Sequence, residues 1–418
     1  MTMNAGPRRV HDKLAALPGV RSVRRPIRHG EPEEFSLYYV RTGPESTNPL
    51  VIIPGGPGAA SIALYRGLRR HAAAAGLDVI MVEHRGVGMS RHDDEGADLP
   101  PEALTIVEAV DDVAAVLDAE GAGTAVIYGT SYGTYLAAGV GVRHPGRVHA
   151  MILDSPLLSA DDVDAVRHAI RRVLWDGDEP ETAELAAKVR RLVADGVLTP
   201  TAAQLAAGLY GVAGPDVLRR QLDLLLTDHD WLWGAVGLGT KLFFERKTPY
   251  HHEPDLVEHI GYRELNYGAE PDGGPLDPAV AFREIATGDA DFVGEPYDLV
   301  AAMPGFTWPT VVISGGRDLT TPPAVAHHIA QLIPDSVLVE LPTAGHSVID
   351  TRERAALEVV MAVNAGAMHD LPRRAAELDA APSVLSVRLL VWAIAAAAAA
   401  ESAVPSAVPR AVRHVTTW

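Results

Sequence analysis

Short, continuous apolar runs recur along this chain with helical stretches between them, and that alternation restricts its fold more than any other feature. "LVIIPGGPG" (50–58), "LDVIMVEHRGVGMS" (77–90), "TAVIYG" (124–129) and "VHAMILDSP" (148–156) are such runs, and "FSLYYVRTG" (35–43) is an earlier strand. Between them, "LTIVEAVDDVAAVLDAEG" (104–121) sets Val107, Val110, Val113 and Leu117 at helical spacing before Gly121. Strands apolar on both faces must be covered on both faces. The pattern therefore predicts an α/β fold, a mostly parallel sheet with helices on either side. From 157 to 305 the rhythm stops, and only amphipathic helices and Pro/Gly-rich loops follow. It resumes at "WPTVVISGGRD" (308–318), a helix-like "PPAVAHHIAQLI" and "SVLVELP" (336–342). One sheet interrupted by a helical insertion accounts for this better than two domains in series. The expected division is a first core part with an N-terminal extension (1–156), a helical cap (157–305), a second core part (306–366) and a C-terminal extension of unassigned role (367–418).

The balance of 36 basic against 54 acidic residues gives a net charge of −18, with no basic stripe, which argues against nucleic acid as a partner. Cysteine is absent, so disulfides, thiolate catalysis and Cys-ligated zinc are excluded. The first 30 residues hold no apolar stretch of signal-peptide length, and a cytoplasmic location is expected. "LLVWAIAAAAAA" (389–400) is twelve residues long, short of the roughly 20 that a spanning helix needs. It reads as a packed or dimer-forming helix, so a homodimer is an expected partner state and a membrane is not.

Chemistry concentrates where the apolar runs end. "GTSYG" places Ser131 between Gly129 and Gly133 at a strand-to-helix turn, the G-x-S-x-G pattern of a nucleophile elbow. There the hydroxyl sits at a helix N-terminus, where developing negative charge is favoured, and the Tyr132 N–H is one oxyanion donor. "PGGPG" (54–58) supplies a second donor after an earlier strand, Gly56 first and Gly55 next. A hydroxyl also needs a base to take its proton, and "PTAGHSVID" offers His346 directly after the last strand. Asp318, in the loop after the preceding strand, is placed to orient that imidazole. Each signal is weak alone. The order Ser131, Asp318, His346, each at a strand's C-terminal end, is that of an α/β-hydrolase.

On these motifs the chain resembles the prolyl and tripeptidyl aminopeptidase family of serine peptidases. "PGGPG" is similar to that family's His-Gly-Gly-Pro-Gly segment, with Pro54 in place of His, and "EHRGVGMS" (83–90) to its Asp-Gln-Arg-Gly-x-Gly-x-Ser loop, with Glu83 and His84. "GTSYGTYLA" and "GGRDLTTPP" resemble its elbow and acid loop, and the likeness covers about 35–365, loosely so over 157–305. The resemblance implies an α/β-hydrolase fold with a helical cap and cleavage of a peptide or amide near a free N-terminus. It also implies no metal or organic cofactor. Cap carboxylates of the prolyl members hold the substrate ammonium. The nearest counterpart is "GYRELNYGAE" (261–270), with Glu264 as amine binder and Asn266 or Tyr267 assisting, although the same pattern suits a solvated Glu on a helix. Trp231, Trp233, Phe243 and Phe244 could line an apolar pocket or form the insertion's own core. "HHEPDLVEH" (251–259) has no zinc-helix spacing, and no metal is expected there.

The expected activity is thus a serine hydrolase working through an acyl-enzyme on a small peptide or amide. An esterase, lactonase or thioesterase would use the same residues on an ester. An epoxide hydrolase or dehalogenase needs Asp where Ser131 stands, and a non-enzymatic hydrolase-fold scaffold usually lacks one of the three residues.

Overall fold

The structure is a computed structural model describing residues 5–286 and 291–404, with the side chains of 5–8 and 243–245 outside the description. Eight strands form one sheet: β1 (Val20–Pro26), β2 (Glu34–Thr42), β3 (Leu50–Ile53), β4 (Val79–Val82), β5 (Ala125–Thr130), β6 (Val148–Asp154), β7 (Thr310–Gly315) and β8 (Ser336–Leu341). Their order is β1-β2-β4-β3-β5-β6-β7-β8. β2 runs antiparallel to β1 and β4, and the pairs from β4 to β8 are parallel.

Side chains alternate between the two faces, as strand geometry requires. Val51, Ile53 and Ile127 join one apolar cluster under the helices Ile106–Ala119, Tyr132–Arg143 and Pro323–Leu332. Leu50, Ile52, Val126 and Tyr128 join the other, under Arg66–Ala74, Glu353–Asn364 and Leu371–Asp379. Every residue of β3, β5 and β7 is buried, which is why these runs read as unbroken apolar stretches.

Between β6 and β7, among the described residues, the chain is helical and no strand of the sheet intervenes. This insertion has a core of its own, with Ile170, Leu185, Leu218 and Leu222 fully buried. Trp233 packs against that core, Trp231 is exposed, and the Phe243 and Phe244 side chains lie outside the described residues.

Two expectations change. The ordered fold does not end near 366: Leu371 and Leu378 are buried against the sheet layer, and Asp379 pairs with Arg352 at 2.9 Å and accepts the Thr343 N–H at 3.1 Å. The twelve-residue apolar run sits within a longer helix. It is an 18-residue helix, Leu385–Ser402, long and apolar enough to cross a membrane by length and composition alone. Ile394 and Ala398 on this helix are buried in the insertion's core.

Behind the loop after β4, Arg85 is fully buried and donates to both Asp112 oxygens at 2.7 Å and to the Ala103 carbonyl at 2.9 Å. Arg25 donates to the same carboxylate at 2.7 Å. Arg85→Met would leave buried carbonyls without a donor and halve the charge compensation of Asp112. A loss of about 3–5 kcal/mol in urea unfolding is expected, the range for breaking a buried ion pair from one side.

Candidate active site

β5 ends in the turn that carries Ser131, whose backbone sits at φ 52°, ψ −126°, a conformation costly for a side-chain-bearing residue. Crowding around it explains the two glycines. A Cβ on Gly129 would lie 2.3 Å from the Gly133 carbonyl oxygen, and one on Gly133 would lie 2.1 Å from that of Ile53. The turn closes because neither position has a side chain. Ser131 N–H donates to the Asp154 carbonyl at 2.9 Å, and the helix Tyr132–Arg143 starts at the next residue.

His346 Nε2 lies 2.9 Å from Ser131 Oγ, and its Nδ1 lies 2.8 Å from Asp318 Oδ2. The structure thus brings together the three residues singled out at the ends of β5, β7 and β8. Asp318 is buried, and its Oδ1 accepts the N–H groups of Thr320 and Thr321 at 2.8 and 2.9 Å. Its Oδ2 also accepts the Thr321 hydroxyl at 2.9 Å. Burial alone would raise this carboxyl. The His346 charge and hydrogen bond, with the threonine N–H donors, outweigh it and hold the group below its ordinary range. Burial works to lower His346, but Asp318 outweighs it and raises the imidazole above its ordinary value. With Nδ1–H donated to Asp318, Nε2 is left to accept the serine proton.

A second set of buried groups holds the histidine loop, and no sequence pattern pointed to it. Asp154, at the end of β6, accepts the N–H groups of Val348 and Ile349 at 3.0 and 2.9 Å and the Tyr128 hydroxyl at 2.8 Å. Ser347, left-handed at φ 58°, donates its N–H to Ser155 Oγ at 2.9 Å and its hydroxyl to Asp350 at 2.5 Å. The two residues after His346 therefore hang from the neighbouring strand end, and the Asp154 and Asp350 charges add to the upward push on His346.

Gly55 lies beside the nucleophile, where a Cβ would approach that of Ser131 to 3.1 Å. Gly56 follows at φ 129°, a backbone state suited to glycine. The loop is held by the segment that invited a metal reading: Ala60 N–H donates to the His251 carbonyl and Glu253 N–H to the Gly58 carbonyl, each at 2.9 Å. Glu253 also accepts the Gly88 N–H at 2.5 Å, so the segment fastens two site loops together. Among the described residues, no group of three or more His, Asp or Glu side chains is placed to hold a metal.

Tyr132 lines the cavity beneath this loop, together with Pro54, Gly55, Pro57 and His84. His84 Nδ1 faces the Arg85 carbonyl at 2.6 Å and must donate there, so its Nε2 accepts the Tyr132 hydroxyl at 3.1 Å. Burial lowers His84 to about 4, which keeps it neutral in this role.

The residues singled out in 261–270 lie on the insertion. Glu264 accepts the Ile106 N–H at 3.1 Å, at the start of a core helix, and its charge reaches the Tyr132 hydroxyl. Asn266 is the left-handed residue that ends the helix Glu258–Leu265, a position that favours Asn. The Tyr267 ring packs against Tyr262 and Phe282. The structure therefore gives Asn266 and Tyr267 architectural contacts, and Glu264, Tyr267 and Tyr297 all lie within electrostatic reach of the Tyr132 hydroxyl. Two groups the sequence did not flag stand in the same region: Glu295, with the Tyr135 hydroxyl at 3.5 Å, and the buried Tyr297, whose hydroxyl has no partner among the described residues.

Sheet order, two-sided helical cover and the placement of Ser131, Asp318 and His346 at strand ends are those of the α/β-hydrolase fold, and this chain has that fold. The α/β hydrolase fold family matches residues 48–197. The chain is similar to the crystal structure of a proline iminopeptidase from Mycobacterium smegmatis, at 22% identity and a TM-score of 0.50, over 85% of this chain and all of that one. It is also similar to the Rv0554 protein of Mycobacterium tuberculosis, at 19% identity and a TM-score of 0.50, over 83% of this chain and 99% of that one. At such identities the likeness concerns the fold. No curated protein matches the chain.

Proposed function

We propose that the protein is a serine hydrolase of the aminopeptidase type, releasing residues from the N-terminus of short peptides or amides. The serine-hydrolase part of this reading rests on one observation, the continuous line of contacts from Ser131 Oγ through the His346 ring to Asp318 Oδ2. His346 Nε2 takes the hydroxyl proton as Oγ attacks the substrate carbonyl, and the N–H groups of Gly56 and Tyr132 hold the resulting oxyanion. The tetrahedral adduct collapses as His346 returns the proton to the leaving amine. Water then enters, gives its proton to His346 and attacks the acyl-enzyme, and the proton passes back to Ser131 as the acid departs. Asp318 stays ionised throughout and stabilises the charged imidazolium.

The peptidase assignment is supported by the motif resemblance and by Glu264, whose carboxylate would meet a substrate ammonium. An esterase, lactonase or thioesterase would run the same steps on an ester. Aminoacyl-arylamides, their N-acetylated forms and short acyl esters separate the two. For an aminopeptidase, acetylation should lower kcat/KM by about 10- to 100-fold, the worth of a hydrogen bond to a charged group. Equal rates on free and acetylated amides, with esters preferred, would replace the peptidase reading by the esterase one.

A further inference from the structure

The helix Leu385–Ser402 lies on the insertion, fixed by Ile394 and Ala398 beneath it and by Glu401, which accepts the N–H groups of Trp231 and Leu232 at 2.8 and 3.1 Å. Its opposite side faces water and carries an apolar stripe, with exposed Arg388 at one border and exposed Ser386 and Ser402 near the helix ends. Leu385, Leu389, Trp392, Ala396, Ala399 and Ala403 are all exposed and follow one another at steps of 4, 3, 4, 3 and 4 residues. Leu385, Leu389 and Trp392 have 66, 55 and 70% of their surfaces exposed. A 4-3 repeat is the signature of one helix seam meeting another. A helix with apolar residues on two sides is ordinarily covered on both, and here only one is.

The stripe is also divided by size. Its first three members are large and its last three are alanines, at matched distances from residue 394: 385 with 403, 389 with 399, and 392 with 396. Two copies laid antiparallel about a twofold axis near residue 394 would set every large side chain of one against an alanine of the other. Such large-to-small matching is what a packed seam needs, and it is self-complementary as a twofold contact must be. In parallel pairing, Trp392 would meet Trp392 and alanine would face alanine.

We propose that a second copy of this chain covers this face, through antiparallel pairing of the Leu385–Ser402 helices across a twofold axis near residue 394. Because the chain has no cysteine, single thiols report the pairing cleanly. The Leu389→Cys and Ala399→Cys full-length chains, mixed and oxidised, should give a disulfide-linked pair, while each alone should give little. By light scattering, the unaltered protein should have twice the 44.4 kDa chain mass at tens of micromolar. Trp392→Glu and, separately, Ala399→Glu should return the single mass, with fluorophosphonate labelling of Ser131 and the melting temperature unchanged. A monomeric unaltered chain would overturn the proposal. So would self-linking of the Leu389→Cys chain alone, the sign of parallel pairing, or a monomer that sediments with phosphatidylcholine vesicles, which would make lipid the covering partner. None of these readouts depends on which substrate the enzyme cleaves.

Discussion

Ser131→Ala is expected to lower kcat on the order of a million-fold, the effect of removing a nucleophile that works as one unit with its base. The fold should survive. The side chain makes one hydrogen bond to His346, and a loss of about 1 kcal/mol corresponds to only a few degrees in melting temperature. The strained turn is held by backbone contacts that alanine retains, including the Ser131 N–H bond to the Asp154 carbonyl. Stopped-assay turnover and fluorophosphonate labelling should therefore vanish together while circular dichroism and melting stay put. Residual activity at the unaltered level would place the nucleophile elsewhere.

Asp318→Asn should cost about 10⁴-fold in kcat, as in triads whose acid loses its charge but keeps its shape. The hydrogen bonds say why. Oδ1 of the new amide would keep the N–H groups of Thr320 and Thr321, which leaves its NH₂ pointing at His346 Nδ1. That nitrogen would have to accept, the ring proton would move to Nε2, and the face turned to Ser131 could no longer receive a proton. The pH profile carries a second signature. In the unaltered enzyme Asp318 raises His346 above its ordinary 6.5, so kcat/KM should fall as pH drops through a value above 6.5. In the variant burial lowers the imidazole against only the smaller push of Asp154 and Asp350, and the acid limb of the residual activity should move down.

The same pair has the opposite relation to stability. A raised histidine stabilises the fold fully below its unfolded value of 6.5, and this contribution is lost as pH rises through the folded value. A depressed carboxyl stabilises above its unfolded value of 3.8 and loses this as pH falls. The couple therefore contributes most between about pH 4 and pH 6.5, where the imidazole is charged and cannot act as a base.

How much of this was legible depended on whether a residue's surroundings leave a mark on its neighbours in sequence. β3, β5 and β7 are buried on both faces, and burial writes a continuous apolar run. β1 was missed because "VRSVRRP" lies at the sheet edge with much of its surface in water, so three arginines fit where a central strand would exclude them. Ser131, Asp318 and His346 were readable because an elbow demands flanking glycines and the other two stand just past strand ends. Asp154 acts through backbone N–H groups 194 and 195 residues away and a hydroxyl 26 residues away, Asp350 through a hydroxyl 3 residues away, and nothing near Asp154 records its long-range partners. The tail was misjudged for a related reason. Leu371 and Leu378 are the only two large apolar side chains in a charged helix, enough to dock it but too few to make a pattern.

The route of that tail has a mechanical consequence. An inserted region is ordinarily joined to its host by its own two chain crossings, here after β6 and before β7. This chain adds a strap. The helix Leu371–Asp379 is bolted to the sheet layer through Arg352 and Thr343, and the helix Leu385–Ser402 is bolted to the insertion. Only residues 380–384 run between them, and Val384 N–H is tied to the Thr351 carbonyl at 2.8 Å, five residues past the histidine. This short span therefore couples the insertion to the segment that follows His346. The position of the insertion and the position of His346 are thereby strung on one line.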